Sequence, residues 1–189
     1  MQNFQVEKGL ELAIKLGYPR DILDKIPVEA IASFSGVGFY FDLLDLKKGE
    51  KVLSLGANPA LDLAVAKLTV GEKGKVAETD LSSGSFSFGA DNFDAVISNG
   101  VIHLSTNKRV LFKEVFRVLK PGGRLAISDL VTESDLSIVI PDFGQITKED
   151  DLTIAIEEAG SKIVTVRENL QYSAPSPGVK SVSLLASKT

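Results

Sequence analysis

The chain has 189 residues, 24% of them charged, a formal net charge of −4 and no composition break that would divide it into two domains. It contains no cysteine, which excludes disulfides, thiolate metal sites and a cysteine nucleophile. The acidic balance offers nothing to nucleic acid or an anionic membrane surface, and no apolar run approaches the roughly 20 residues of a membrane span.

The opening "MQNFQVEKGLELAIK" lacks the basic start and apolar core of a signal segment, so the expected location is the cytoplasm. Within "VEKGLELAIKLG", Val6, Leu10, Ala13 and Ile14 recur at helical spacing, and Gly17 stops the helix before Tyr18-Pro19. "PRDILDKI" and "PVEAIASF" each open on a proline, a favoured first helical residue. After the turn "KKGE", "KVLSL" reads as a short strand that ends at Gly56. Leu61, Ala64, Val65 and Leu68 line one face of the next helix. "KVAETD" and "FDAVISN" are the second and third strands, and "TNKRVLFKEVFRVL" is an amphipathic helix stopped by "KPGG". "RLAISDLV" is a fourth strand, "TKEDDLTIAIEEAG" a helix with a threonine cap, and "KIVTVREN" and "KSVSLLAS" are late strands.

Strands alternating with helices predict an α/β three-layer sandwich with a mostly parallel sheet. Ligands of such sheets bind beyond the carboxyl ends of the strands. That places "VLSLGANPALD", Asp80 and Asn99 on one rim. The expected organisation is a helical segment over residues 1–46 and one compact domain over 47–189.

Three stretches, "LKKGEKVLSLG", "GEKGKVAETDLS" and "FDAVISNGVIHLSTNKRVLFKEVFRVLKPGGRLAISDLV", together resemble the class I S-adenosylmethionine-dependent methyltransferases. Within that family the chain is most similar to the arsenite methyltransferases, through the "GY…IP" helix and the "ISN…LS" strand end. The resemblance runs from Gly17 to Val131, and "VFRVLKPGGRL" is its most specific part. It implies a Rossmann-like methyltransferase fold, S-adenosylmethionine as cofactor and a small-molecule substrate.

By that resemblance Gly56, Ala57 and Asn58 belong to the cofactor loop, and Asp80 matches the acid that binds the ribose hydroxyls; its alternative reading is an ordinary cap of a strand-to-loop turn. Asn99 and Gly100 fall near the transferred methyl group. His103, the only histidine, is a candidate general base with an unperturbed pKa of about 6.5. Its alternative reading is a packed loop residue. The loop also departs from the family, which has an acid at the position of Ser54 and glycines at those of Asn58 and Ala60. Asn58-Pro59 suits a helix cap and first turn. Pro59 nevertheless removes an amide donor, and the side chains at 58 and 60 fill cofactor space.

A second departure is an absence. Only Leu81 to Asn92, twelve residues, join the second strand to the third. A strand-helix-strand unit needs about thirty residues or more. The usual edge strand and helix are therefore expected to be missing, with Phe86 and Phe88 as the large local cover. An uncovered sheet edge and face predict a homodimer, unless the N-terminal helices fold back over the gap. Val37 and Gly100 stand where the arsenite subgroup carries two of its cysteines, so thiolate capture of arsenic is not expected, and no metal site is. S-adenosylmethionine binding is expected to be weak or lost. Two readings follow: a family member without present activity, or an active small-molecule methyltransferase with a trimmed cofactor site.

Overall fold

A computed structural model describes residues 7–56, 60–81, 84–134, 138–140 and 144–189. Four short helices open the chain: α1 (Gly9–Leu16), α2 (Arg20–Leu23), α3 (Val28–Ala32) and α4 (Phe41–Leu44). Gly17 ends α1 in the left-handed region at φ 103°, where glycine has no Cβ penalty. Pro19 and Pro27 sit at the cap position just before α2 and α3, one residue earlier than the sequence suggested.

The sheet then builds from β1 (Lys51–Leu55), helix α5 (Ala60–Val70), β2 (Lys75–Thr79) and β3 (Phe93–Asn99). A 3-10 turn at Ile102–Leu104 leads to α6 (Lys108–Val118), capped by Asn107, whose Oδ1 accepts from the Val110 amide at 3.1 Å. Next come β4 (Leu119–Thr132), β5 (Ile138–Ile140), β6 (Gly144–Lys148), α7 (Glu149–Glu158), β7 (Ser161–Glu168) and β8 (Val179–Lys188). The order β2-β1-β3-β4 is parallel throughout, and β8 and β7 continue outward as antiparallel strands. This is the predicted order.

Three local details differ from the sequence reading. Leu119 pairs with Phe93 and Arg124 with Ala95, so "KPGG" bulges out of β4 instead of preceding it. Thr147 pairs in β6, and Lys148 takes the cap position of α7 without a side-chain cap. The β5–β6 hairpin was not anticipated. Its second strand pairs with Val131 and Thr132 of β4, just beyond the last β3 partner, Ser128.

Alternation along the strands divides the core into two layers. Leu53, Leu55, Val96, Leu125 and Ile127 face α6 and α7, with Phe112, Val115 and Ile156 packed among them. Val52, Ala95, Ile97 and Ala126 face the other way, against Ala66 and Val70 of α5 and Leu44 of α4. A fully buried side chain of this size contributes roughly 1.5–3 kcal/mol. The inward stripe of α5 is Leu61, Asp62, Val65 and Ala66, whereas the anticipated Leu68 is 45% exposed.

β2 pairs only with β1, and among the described residues no strand lies between it and β3. The missing edge strand is thus seen directly. The crossing segment is tied down by α6. Glu114 accepts from the Phe86 amide at 2.9 Å, and Arg117 donates to the carbonyls of Phe88 and Phe86 at 2.8 and 3.2 Å. Phe86 is buried in the core and Phe88 packs edge-on against Phe93 at 5.0 Å. The N-terminal helices do not cover this gap. Leu12, Leu16, Tyr18, Leu23 and Phe34 pack instead on Leu61 and Val65 of α5. Among the described residues no helix is long and apolar enough to cross a membrane.

Candidate functional site

A cleft of about 90 Å³ opens at the carboxyl ends of β1 and β3. It is lined by Gly56 and Asn99–Gly100 at the strand ends, Asp62 of α5, and Phe34, Ser35 and Gly36 from the N-terminal segment. Gly56 stands at φ 119°, a conformation that disfavours other residues, and its amide donates to the Thr79 carbonyl at 2.9 Å. A Cβ at that position would also come within 3.0 Å of Val101. The turn thus requires glycine both for its backbone and for space.

Asn99 stitches the N-terminal segment to the sheet. Its Oδ1 accepts from the Val37 amide at 2.8 Å, and its Nδ2 donates to the Gly38 carbonyl at 2.9 Å and the Tyr18 hydroxyl at 3.2 Å. Tyr18 in turn donates a short hydrogen bond to Asp62 Oδ1, and Tyr40 donates to Asp62 Oδ2 at 3.1 Å. The four side chains come from four parts of the chain. Asp62 is 3% exposed. Burial pushes its carboxyl up to about 6, against the lowering effect of hydrogen bonds from Tyr18, Asn99 and Tyr40. Burial and the neighbouring carboxylate push both phenols well above the ordinary tyrosine range.

Gly56, Asn99 and Gly100 thus meet in one cleft. Asp80 follows β2 at the neighbouring strand end, exposed and outside the cleft lining. Ala57 and Asn58 lie outside the described residues. His103 is 5% exposed and does not line the cleft. Its Nδ1 lies 2.6 Å from Asp129 Oδ1, while the Ile102, His103 and Leu130 amides donate to the same carboxylate at 2.6, 3.3 and 2.8 Å. That arrangement anchors the 3-10 turn on β4. Ser54 is 1% exposed, and among the described residues its hydroxyl has no hydrogen-bond partner; the Ser98 hydroxyl is in the same position.

Asp62, the one charged group in the cleft, was not singled out from the sequence. The available signal was a carboxylate directly after Leu61 and three before Val65, inside an apolar helical stripe. Among the described residues no three His, Asp or Glu side chains gather as metal ligands.

A parallel sheet with this strand order, a glycine turn after β1 and a cleft over the β1 and β3 ends define a Rossmann-like methyltransferase fold. The methyltransferase domain family matches residues 35–127. The demethylmenaquinone methyltransferase of Corynebacterium glutamicum is 32% identical, over 67% of this chain and 68% of its own length. An arsenite methyltransferase of Halobacterium salinarum is 28% identical over 80% of this chain, which spans about half (47%) of that relative's length. The crystal structure of an arsenic(III) S-adenosylmethionine methyltransferase from Chlamydomonas reinhardtii superposes with a TM-score of 0.70. Its identity is 21%, with 89% of this chain and 72% of that chain covered. An S-adenosylmethionine-dependent methyltransferase from Aquifex aeolicus gives 0.64 at 19% identity, covering 94% and 93% of the two chains. The chain belongs to the class I S-adenosylmethionine-dependent methyltransferase family.

Proposed function

We propose that this chain is a family member that has kept the fold while losing most of its affinity for S-adenosylmethionine, and that it acts as a binding module rather than as an arsenite methyltransferase. The size of the cleft carries this reading. Sites for drug-sized ligands occupy roughly 300–1,000 Å³. The cleft measures about 90 Å³ and is lined in part by Phe34, Ser35 and Gly36, next to Val37 and Gly38, which Asn99 holds by hydrogen bonds. The residues present also fit the cofactor poorly. Where the family has an acid for the amino end, Ser54 offers a buried hydroxyl without a partner. The Asp62 carboxylate that does line the cleft is engaged by two phenols and Asn99. Arsenite chemistry lacks its thiolates, because the sequence has no cysteine.

The second reading, an active small-molecule methyltransferase with a trimmed site, draws support from the convergence of Gly56, Asn99 and Gly100 on one cleft. Methyl transfer depends mainly on alignment, so it does not require a dedicated base. Titrating S-adenosylmethionine into the protein by calorimetry, with mass spectrometry for any ligand carried through purification, separates the two. A tight complex would put the second reading first.

A further inference from the structure

We infer that the cleft over β1 and β3 is a binding site for a compact organic cation, an alkylammonium group, with Asp62 as its counter-ion and the Phe34 ring as its cover. The inference rests on the proposed function in one respect only: the cleft is taken at its observed size.

The charge of the site is one-sided. Asp62 lines the cleft at 3% exposure, and among the described residues no Lys, Arg or His lies within ion-pair distance of it. A buried carboxylate normally needs a cation as well as hydrogen bonds. Tyr18, Tyr40 and Asn99 supply only hydrogen bonds. The two carboxylate oxygens offer about four acceptor sites, so with three donors one is left for a ligand. No lining residue is basic, and the Asp62 carboxylate disfavours anionic ligands.

Size and shape narrow the class further. At about 30 Å³ per water in the liquid, about 90 Å³ holds the equivalent of about three waters, which suits an ammonium head and a short alkyl stem. Phe34 lines the cleft and its ring meets Tyr18 edge-on, ring centroids 5.1 Å apart. Aromatic faces attract alkylammonium ions at such sites. Asn99, which also lines the cleft, is held by its hydrogen bonds to Val37, Gly38 and Tyr18 and leaves the carboxylate as the charged recognising group.

The groups facing Asp62 are Tyr18, Tyr40 and Asn99, from the N-terminal segment and β3. Both phenols remain protonated donors through the neutral range. Binding therefore selects the ionised form of Asp62 and should weaken as the pH falls below about 6.

The test is a titration of the intact chain with methylammonium, followed by calorimetry and by amide chemical shifts around Asp62, with methanol and acetate as neutral and anionic controls. The expected result is saturable methylammonium binding, at least tenfold tighter than methanol, and none by acetate. Affinity should fall about tenfold from pH 7 to pH 5, in line with the protonation of one carboxyl. Asp62→Asn should abolish binding, and Phe34→Leu should weaken it severalfold. Methanol binding as tightly as methylammonium would overturn the inference without any variant, so a misfolded Asp62→Asn protein cannot shelter it. Undiminished binding to a folded Asp62→Asn protein would also overturn it. Tight S-adenosylmethionine binding, by contrast, would contradict the proposed function and leave the methylammonium comparison standing as its own test.

Discussion

Gly100 and Val37 face each other at the cleft: a Cβ placed on Gly100 would lie 3.4 Å from Val37 Cγ1. These are the two positions where the arsenite subgroup is expected to carry cysteines, so the spatial pairing survives while both thiols are gone. Restoring them as Val37→Cys with Gly100→Cys should create an arsenite site, read as thiolate–arsenic absorbance, where the wild-type chain shows none. The variant should also lose roughly 1–2 kcal/mol of stability, because residue 100 stands at φ 70°. An unfolding curve identical to wild type would show that the turn relaxes.

Asp62 sets a pH dependence of stability. Its folded carboxyl is raised from 3.8 to about 6, so the folded state binds the proton more tightly than the unfolded chain does. The contribution is therefore most favourable below the unfolded value, is lost as the pH rises to about 6, and is level above that. At about 1.4 kcal/mol per factor of ten in proton affinity, the loss amounts to roughly 3 kcal/mol. Asp62→Asn should gain on wild type by that amount between pH 4 and pH 7, measured by urea unfolding across the range. Parallel pH profiles would refute the assignment.

The crossing segment hangs on one arginine. Arg117→Ala removes the donors to the Phe86 and Phe88 carbonyls and the partner of Glu114, which Arg117 holds down at about 2. The expected cost is roughly 1–3 kcal/mol, with faster proteolytic cutting between Gly84 and Asn92. If cutting stays at the wild-type rate, Phe86 packing alone holds the segment.

A buried hydroxyl without a partner should be a liability. Ser54→Ala removes it at almost constant volume and should stabilise the fold by about 1 kcal/mol in denaturant titration. A loss of stability instead would mean that the hydroxyl has a partner such as a bound water.

The open β2 edge leads us to expect a two-fold dimer in solution, because an unpaired strand is a template for pairing. Sedimentation at micromolar concentration should give twice the chain mass of 20.2 kDa. A monomer would show that the buried Phe86 and the charges of Lys75 and Glu78 suffice to protect the edge.

The sequence shows the architecture well because the evidence for it is local. Apolar runs such as "KVLSL" and "FDAVISN", broken by glycine turns, specify parallel strands on their own, and the short Leu81–Asn92 link fixes the missing unit by length. The β5–β6 hairpin escaped because β6 is held by two pairs to the far end of β4, a contact without a local signature. The cleft was half legible. Gly56, Asn99 and Gly100 announce themselves at strand ends, whereas the Tyr18–Asp62 and Tyr40–Asp62 bonds span 44 and 22 residues. Such a network forms only when the N-terminal helices settle on α5. His103 was legible only as a lone histidine on the rim; its pairing with Asp129, 26 residues away, has no local signature.

The central claim is that the fold persists without a working cofactor site. Calorimetric titration of S-adenosylmethionine into the wild-type chain tests it most directly, with the Ser54→Asp, Asn58→Gly, Ala60→Gly variant as the comparison. The prediction is a wild-type dissociation constant no tighter than about 1 mM, near −4 kcal/mol, and measurably tighter binding by the variant. A micromolar wild-type complex would contradict the account and identify an active methyltransferase with a trimmed site.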